Sequence, residues 1–427
     1  MRMRIGCAAL LALAAACAPA PAIGPAADGG STVVGGGGSA ASGGSVAAPA
    51  LWVGTWATSP QLTEPNNLPP APGLAGNTLR QVVRVSIGGE RLRVRFTNAF
   101  GNGPLTIAAA HIAPGTAGTS AIDAAGGRAL TFGGAPSTTI ARGDTAVSDA
   151  VDFPLQAMQE VAITIHFGAV PSDVTGHPGS RTTSFILPGN AFAAAEMPDA
   201  VRTDHWYVIQ GIDVVEGLAA ERALVTLGNS ITDGRGSGTN RNNRWPDELS
   251  RRLRADPRTA HVAVLNAGIG GNCVLRDCLG PAAVARFERD VLQAPGARWL
   301  IVLEGINDVG QAQGPEGARA VAAGLIEAYG RMIDRAHARG IRVYGATLLP
   351  FGGSFYDAPE REAARQAVNA WIRTSGRFDA VIDLEAALRD PANPTRLRPE
   401  ADTGDHLHPN ETGHRMMAEA IDLALFR

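Results

Sequence analysis

Hydrophobic positions change their period near the middle of this chain. In the first half they alternate: Val83, Val85 and Ile87 flank Arg84 and Ser86, and after Gly88-Gly89, Leu92, Val94 and Phe96 alternate with Arg91, Arg93 and Arg95. That spacing predicts a hairpin with one buried face. Further strand-like runs cover 105–112, 147–153, 161–167, 183–187 and 207–214, separated by Gly, Pro, Asn and Asp clusters. An all-β sandwich or jelly roll over 51–215 accounts for them.

From Ala223 onward the pattern becomes strand, turn, helix, repeated. Apolar runs at 223–226, 261–266, 298–304, 341–348 and 380–384 alternate with helical stretches that start near Arg244 and near 281–293, 316–338, 359–375 and 411–425. In the longest, Val321, Leu325, Ala328, Met332 and Ala336 recur at helical spacing and should face a sheet. The expected fold class for 216–427 is therefore α/β, a parallel sheet flanked by helices on both faces. Ligands in such sheets bind at the carboxyl ends of the strands.

The first 50 residues differ from both halves. Arg2 and Arg4 precede an apolar run from Ile5 to Ala16 that is too short for a bilayer span and has the shape of a secretory signal, so 1–17 should be removed. Ala14-Ala15-Ala16-Cys17 forms a degenerate lipobox, so two kinds of processing are open: lipidation of Cys17, which would anchor the protein in a membrane, or ordinary signal cleavage after Ala20 or Ala22. Residues 18–50 are almost wholly Ala, Pro, Gly and Ser, a composition that cannot bury enough apolar surface to fold; as a flexible linker they would reach roughly 30 Å. The protein is expected to be exported: secreted, periplasmic or lipid-anchored at the cell surface.

Composition narrows the chemistry. The 427 residues carry a net charge of -3, with every basic residue an arginine, so no basic excess points to nucleic acid. Outside the leader only Cys273 and Cys278 remain, with four residues between them. In an exported chain they suit a small disulfide loop, worth about 2 kcal/mol on the chain-entropy model; a metal pair is the rival.

Four polar or glycine-rich stretches follow the apolar runs of the second half. Leu227 to Gly234 reads LGNSITDG and puts Ser230 at a strand-to-helix turn; Asn266 to Asn272 reads NAGIGGN; Glu304 to Asp308 reads EGIND; and Asp405 to Asn410 reads DHLHPN. A serine hydroxyl needs a base, a group that orients the base, and donors for the oxyanion, and these stretches offer a candidate for each. Gly228-Asn229-Ser230-Ile231-Thr232 is not a Gly-x-Ser-x-Gly elbow, and Gly234-Arg235-Gly236-Ser237-Gly238 lacks the lysine of a phosphate loop.

In content and order the four stretches resemble the blocks of the SGNH hydrolases, the GDSL-type esterase and lipase superfamily. The likeness covers about Glu216 to Arg427, and Leu51 to Pro60 (LWVGTWATSP) looks like the start of a secreted bacterial group that carries a β-sandwich ahead of the catalytic domain. One departure is Asn229, where the family most often has Asp before the serine. The resemblance implies that Ser230 is the nucleophile, His408 the base and Asp405 its orienting carboxylate. It also implies an oxyanion hole from the N–H groups of Ser230 and Gly271 and the side chain of Asn307. His406 competes with His408 and Asp402 with Asp405, while Gly270 and Gly268 compete with Gly271. Asp233 and Gly234 shape the turn.

What the resemblance implies about function is a serine esterase with no metal or organic cofactor. The expected partner is an ester substrate, with acetylated polysaccharide the first choice and short-chain carboxylesters or lipids the second. A non-catalytic carbohydrate-binding surface protein is the alternative from another class. Phe351, Phe355 and Tyr356, after a strand end, are candidates for substrate contact. For the β domain, carbohydrate contact, with Arg91, Arg93 and Arg95 as candidate ligands of an acidic glycan, stands beside a packing module that walls the active site.

Overall fold

The computed structural model describes residues 51–215 and 221–427. The segments expected to be a signal sequence (1–17) and a linker (18–50), with Cys17, lie outside those residues.

Five parallel strands organise the second half: Arg222–Gly228, Val262–Gly268, Ala297–Leu303, Arg342–Ala346 and Ala380–Ile382. Across the sheet they run second, first, third, fourth, fifth. The three strands nearest the site are buried almost throughout, which is why they read as continuous apolar runs and not as alternating ones. The strand order reverses at Arg222–Gly228, which has the second strand on one side and the third on the other. The carboxyl ends of these three strands therefore open a crevice between diverging connections. Helices Trp245–Ala255, Ala283–Phe287, Gly314–His337, Pro359–Thr374 and Glu411–Glu419 follow in turn. On Gly314–His337 the buried stripe is Ala318, Ala322, Leu325, Ala328, Tyr329, Met332, Ile333 and Ala336, so Ala322 takes the inward place expected of Val321.

The first half is antiparallel. One sheet contains Trp52–Ala57, Ile209–Val215, Gly89–Thr97 and Thr145–Val147, and Val151–Leu155 also pairs with Gly89–Thr97. A larger sheet has Thr78–Arg84 and Glu160–Phe167 at its centre, and a small third sheet joins Gln61–Leu62, Thr175–His177 and Trp206–Tyr207. The expected hairpin across Gly88-Gly89 does not form. Thr78–Arg84 and Gly89–Thr97 belong to different sheets, and the turn between them carries the chain from one layer of the sandwich to the other. Alternation marks which face of a strand is buried but not which strand lies beside it.

Arg91, Arg93 and Arg95 are also placed differently from a free cationic face. Buried Asp213 accepts from Arg93 Nε at 3.0 Å and from Arg95 Nε at 3.1 Å, and Arg91 pairs with Asp152 at 3.1 Å. Their charge is answered within the β layer.

The two halves share one apolar core. Trp52–Ala57 lies against the edge strand Val262–Gly268 so closely that a Cβ on Gly54 would stand 2.9 Å from Leu265. Gly54 N–H donates to Pro295 O at 2.9 Å, and Val264 N–H donates to Ser86 Oγ at 3.1 Å. The β layer is thereby fixed at the edge of the parallel sheet, beside the strand that leads to the glycine-rich turn.

Candidate active site

Ser230 begins a single helical turn, Ser230–Asp233, directly after the first parallel strand. Asn229 caps the turn through its side-chain oxygen, which accepts from Ile231 N–H at 3.1 Å, and Gly234 closes it at φ +108°. Two strand ends press on this turn. A Cβ on Gly268 would lie 2.3 Å from Asp233 N, so Gly268 is there to let backbone approach backbone.

The Asp405 to Asn410 loop folds back over Ser230. Ser230 Oγ lies 2.9 Å from His408 Nε2, and His408 Nδ1 lies 2.7 Å from Asp405 Oδ2. The second carboxylate oxygen of Asp405 accepts from the N–H groups of Leu407 at 3.0 Å and His408 at 2.9 Å, so the loop's own backbone fixes the carboxylate. Burial alone would raise the Asp405 pKa, but these donors, together with the ring N–H and charge of His408, hold it well below the usual carboxylate range. Burial lowers the His408 pKa; Asp405 opposes that shift, while the charges of Arg235 and Arg181 add to it. His406 turns away and forms its own pair, Nδ1 to Asp402 Oδ2 at 2.6 Å, so neither His406 nor Asp402 is in the chain of contacts that reaches Ser230.

The three groups expected to meet an oxyanion lie just beyond the ends of the first three parallel strands. Among the described residues the N–H groups of Ser230 and Gly271 donate to no protein acceptor. Gly271 holds φ +69°, a conformation open to glycine. The next residue, Asn272, is buried and pinned: its side chain donates to Leu279 O at 2.9 Å and Pro281 O at 2.8 Å and accepts from Arg286 Nε at 2.9 Å. Asn307, in the turn Ile306–Gly310, donates one amide hydrogen to Asn272 O at 2.7 Å, and its oxygen accepts from Tyr356 Oη–H at 3.0 Å. The second amide hydrogen of Asn307 remains for another acceptor.

Of the aromatic residues after the fourth strand, only Phe355 is open to solvent, at 72% exposure. Phe351 is fully buried, packed beside Tyr356 and under the Arg365 guanidinium, and is not available for substrate contact. Tyr356 is also buried, at 9% exposure, with its ring over Gly310 and its hydroxyl on Asn307. Local sequence marks an aromatic loop but not which rings face inward.

Several residues that hold the site have no local sequence signal. Buried Arg286 donates to Gly228 O at 3.0 Å and Ala267 O at 2.7 Å as well as to Asn272, tying the first two strand ends together. It stands 3.5 Å from Glu304, whose carboxyl burial pushes up to about 8. Glu304 in turn accepts from Asn229 Nδ2 at 2.9 Å, which explains the amide at position 229: it donates to a carboxyl that an aspartate would face with a second one. Asp308 accepts from Val274 N–H at 2.8 Å and Leu275 N–H at 3.0 Å, so it organises the loop beyond Asn272 and is more than a turn former. That loop is closed by the Cys273–Cys278 disulfide, with a Cα separation of 5.7 Å. From the β layer, His177 Nε2 reaches Asp233 Oδ1 at 2.8 Å while its Nδ1 faces Ser59 O at 2.9 Å. Arg244 links the same parts, donating to Asp233 O and to Ser180 O. The β layer thus buttresses the turn that carries Ser230.

Residues 226–416 match the family model of the GDSL-like lipase/acylhydrolase family. Among solved structures the chain is similar to an acetyl xylan esterase from Geobacillus stearothermophilus, with 23% identity over 47% of this chain and 92% of that one and a TM-score of 0.36. It is also similar to a GDSL-like lipase from Bacteroides thetaiotaomicron, with 20% identity over 50% of this chain and 91% of that one and a TM-score of 0.34. No curated protein matches.

Proposed function

With residues 226–416 of this chain belonging to the GDSL-like lipase/acylhydrolase family, we propose that the protein is an exported serine esterase that removes acetyl groups from polysaccharide through an acyl-enzyme. The observation that carries the reading is the line of contacts from Ser230 Oγ to His408 Nε2 at 2.9 Å and from His408 Nδ1 to Asp405 at 2.7 Å. Hydrogen-bond contact between hydroxyl and imidazole is what general-base activation of a serine requires.

In this mechanism Ser230 Oγ attacks the acetyl carbonyl as His408 Nε2 takes the hydroxyl proton. Asp405, held ionised, fixes the ring so that Nδ1 donates and stabilises the imidazolium that forms. The negative charge on the carbonyl oxygen is met by Ser230 N–H, Gly271 N–H and the second hydrogen of Asn307 Nδ2. As the tetrahedral intermediate collapses, His408 protonates the departing sugar oxygen. Water, deprotonated by the same ring, then attacks the acetyl-serine and releases acetate.

Acetyl is the favoured acyl group, and a glycan hydroxyl the favoured alcohol, because the likeness is to an exported bacterial group in which several members deacetylate glycans. The Cys273–Cys278 disulfide supports an oxidising location. The test is acetate release from acetylated xylan, mannan and pectin beside p-nitrophenyl acetate and longer-chain esters, with Ser230→Ala as the blank. Release from a polysaccharide well above that from the small esters is expected. Turnover of the small or long-chain esters alone would make the protein a general carboxylesterase or lipase. Equal activity in folded Ser230→Ala would move the nucleophile elsewhere.

A further inference from the structure

A leucine in the open is ordinary on a protein surface. Leu279 is set apart by what it touches and by how it is held. Its side chain is 49% exposed and lies over Gly271: a Cβ added to that glycine would stand 2.8 Å from Leu279 Cδ1 and 3.1 Å from its Cγ. Cβ and N sit about 2.5 Å apart on one tetrahedral carbon, so this methyl group lies within about 5 Å of the Gly271 nitrogen. The Leu279 carbonyl accepts from the buried Asn272 side chain at 2.9 Å, and the Cys273–Cys278 disulfide closes the loop one residue before it. The loop is tied down at its start as well, with Val274 and Leu275 N–H on Asp308 and Ala283 N–H on Cys273 O at 2.8 Å. Contact between Leu279 and Gly271 is therefore built into the fold.

Strand order decides the side from which this leucine comes. Helix Trp245–Ala255 carries the chain from the first strand outward to the second, and the next connection, through Ala283–Phe287, returns past the first strand to the third. Right-handed crossovers in opposite directions lie on opposite faces of a sheet, and Gly314–His337, which continues in the second direction, shares the second face. The loop that carries Leu279 belongs to that second connection. Leu275 within it packs on Gly314–His337, where a Cβ on Gly324 would stand 3.0 Å from Leu275 Cδ1. The Asp405 to Asn410 loop runs into Glu411–Glu419 on the first face, where Trp245 N–H donates to His414 Nδ1 at 3.3 Å and Arg252 donates to Ile421 O at 2.8 Å. His408 thus comes from one face of the sheet and Leu279 from the other.

The base has to protonate the departing alcohol, so the alcohol of a bound ester faces His408 and the acyl group faces away from it. The geometry points to Leu279 as the residue that sets acyl length: its side chain walls the acyl side beside Gly271, with room for an acetyl methyl and none for a longer chain. The inference rests on the serine-esterase reading of Ser230, His408 and Asp405, and does not require the alcohol to be a sugar. An apolar wall suits a methyl group, and one methylene more or less against such a wall changes kcat/KM roughly tenfold to two-hundredfold.

The test varies the acyl group and the alcohol separately. Values of kcat/KM are measured for p-nitrophenyl acetate, butyrate and hexanoate with the wild type, Leu279→Ala and Leu279→Phe, beside a melting curve for each protein. The wild type is expected to prefer acetate. Leu279→Ala should raise the butyrate-to-acetate ratio about tenfold and Leu279→Phe should lower it, a reversal of sign that mere loosening of the loop would not produce. Should Leu279→Ala fail to fold, the fall in Leu279→Phe decides alone. Ethyl and phenyl acetate, which differ only in the alcohol, should keep their ratio in both variants. An unmoved butyrate-to-acetate ratio in protein that melts normally, or a wild type faster on hexanoate than on acetate, overturns the acyl-length role. A changed ethyl-to-phenyl ratio with acyl preference unmoved also overturns it and puts Leu279 on the alcohol side. Turnover of none of these esters by the wild type overturns the esterase reading itself, and the role of Leu279 falls with it.

Discussion

Tyr356 holds Asn307, the proposed oxyanion donor, and that role can be separated from substrate contact by a double-mutant cycle. The Asn307 amide is fixed at both ends, Nδ2 to Asn272 O at 2.7 Å and Oδ1 from Tyr356 Oη–H at 3.0 Å. Tyr356→Phe removes the second bond and leaves a buried carbonyl oxygen unpaired, with a stability loss of about 1–3 kcal/mol by denaturant titration. If about 1 kcal/mol of the lost bond is expressed in the transition state, kcat falls roughly fivefold, with KM little changed. Asn307→Ala removes the donor itself and should lower kcat by about a hundredfold to a thousandfold. In the double variant there is no amide left to hold, so adding Tyr356→Phe to Asn307→Ala should change kcat by less than about twofold. Initial rates on p-nitrophenyl acetate under saturating conditions supply all four corners. Independent, multiplying effects, or a rise in KM with kcat unchanged in Tyr356→Phe, would refute the positioning role and return Tyr356 to the substrate-binding surface.

Because the base must be neutral and the His408 pKa is lowered by burial and by Arg235 and Arg181, the acid limb of kcat/KM should fall below the ordinary imidazole value of about 6.5. Arg181→Gln removes one of those charges and should move the limb to higher pH; an unmoved limb would place the guanidinium too far away to matter. His177→Ala leaves Asp233 buried without its donor, and a loss of about 3 kcal/mol or more is expected, seen as a lower melting temperature and a lower kcat; a wild-type melt would show that the pair does not secure the turn that carries Ser230. The Glu304 carboxyl, raised to about 8, favours the protonated folded state, so its contribution to stability is full below its unfolded pKa and is lost as pH rises towards 8. Asn229→Asp puts a second carboxyl against Glu304 and should steepen that loss, read as denaturation midpoints at pH 5, 7 and 9; parallel pH profiles for the two proteins would sink the argument.

The order and type of the elements in the second half were legible in the sequence for a physical reason. Strands buried on both faces must be apolar without interruption, and helices that cover them must repeat their apolar residues every three or four positions. The strand-end turns were legible too, because Ser230, Gly271 and Asn307 occur where apolar runs stop and polar or glycine-rich chemistry begins. The Asp405 to His408 spacing lets one short loop present a carboxylate to the histidine three residues on, so that pair was also readable from local sequence. Tertiary structure decided what depends on partners distant in the chain. It put Val83 and Leu92 in different sheets despite a common alternation, turned Phe351 and Tyr356 inward while leaving Phe355 outside, and answered Arg93 and Arg95 with Asp213 from a neighbouring strand. It also brought His177 to Asp233, and Arg286 to two strand ends at once, across separations for which spacing carries no information. Local sequence states what each segment must bury or expose; which segment answers it is set by how the layers close around one shared core.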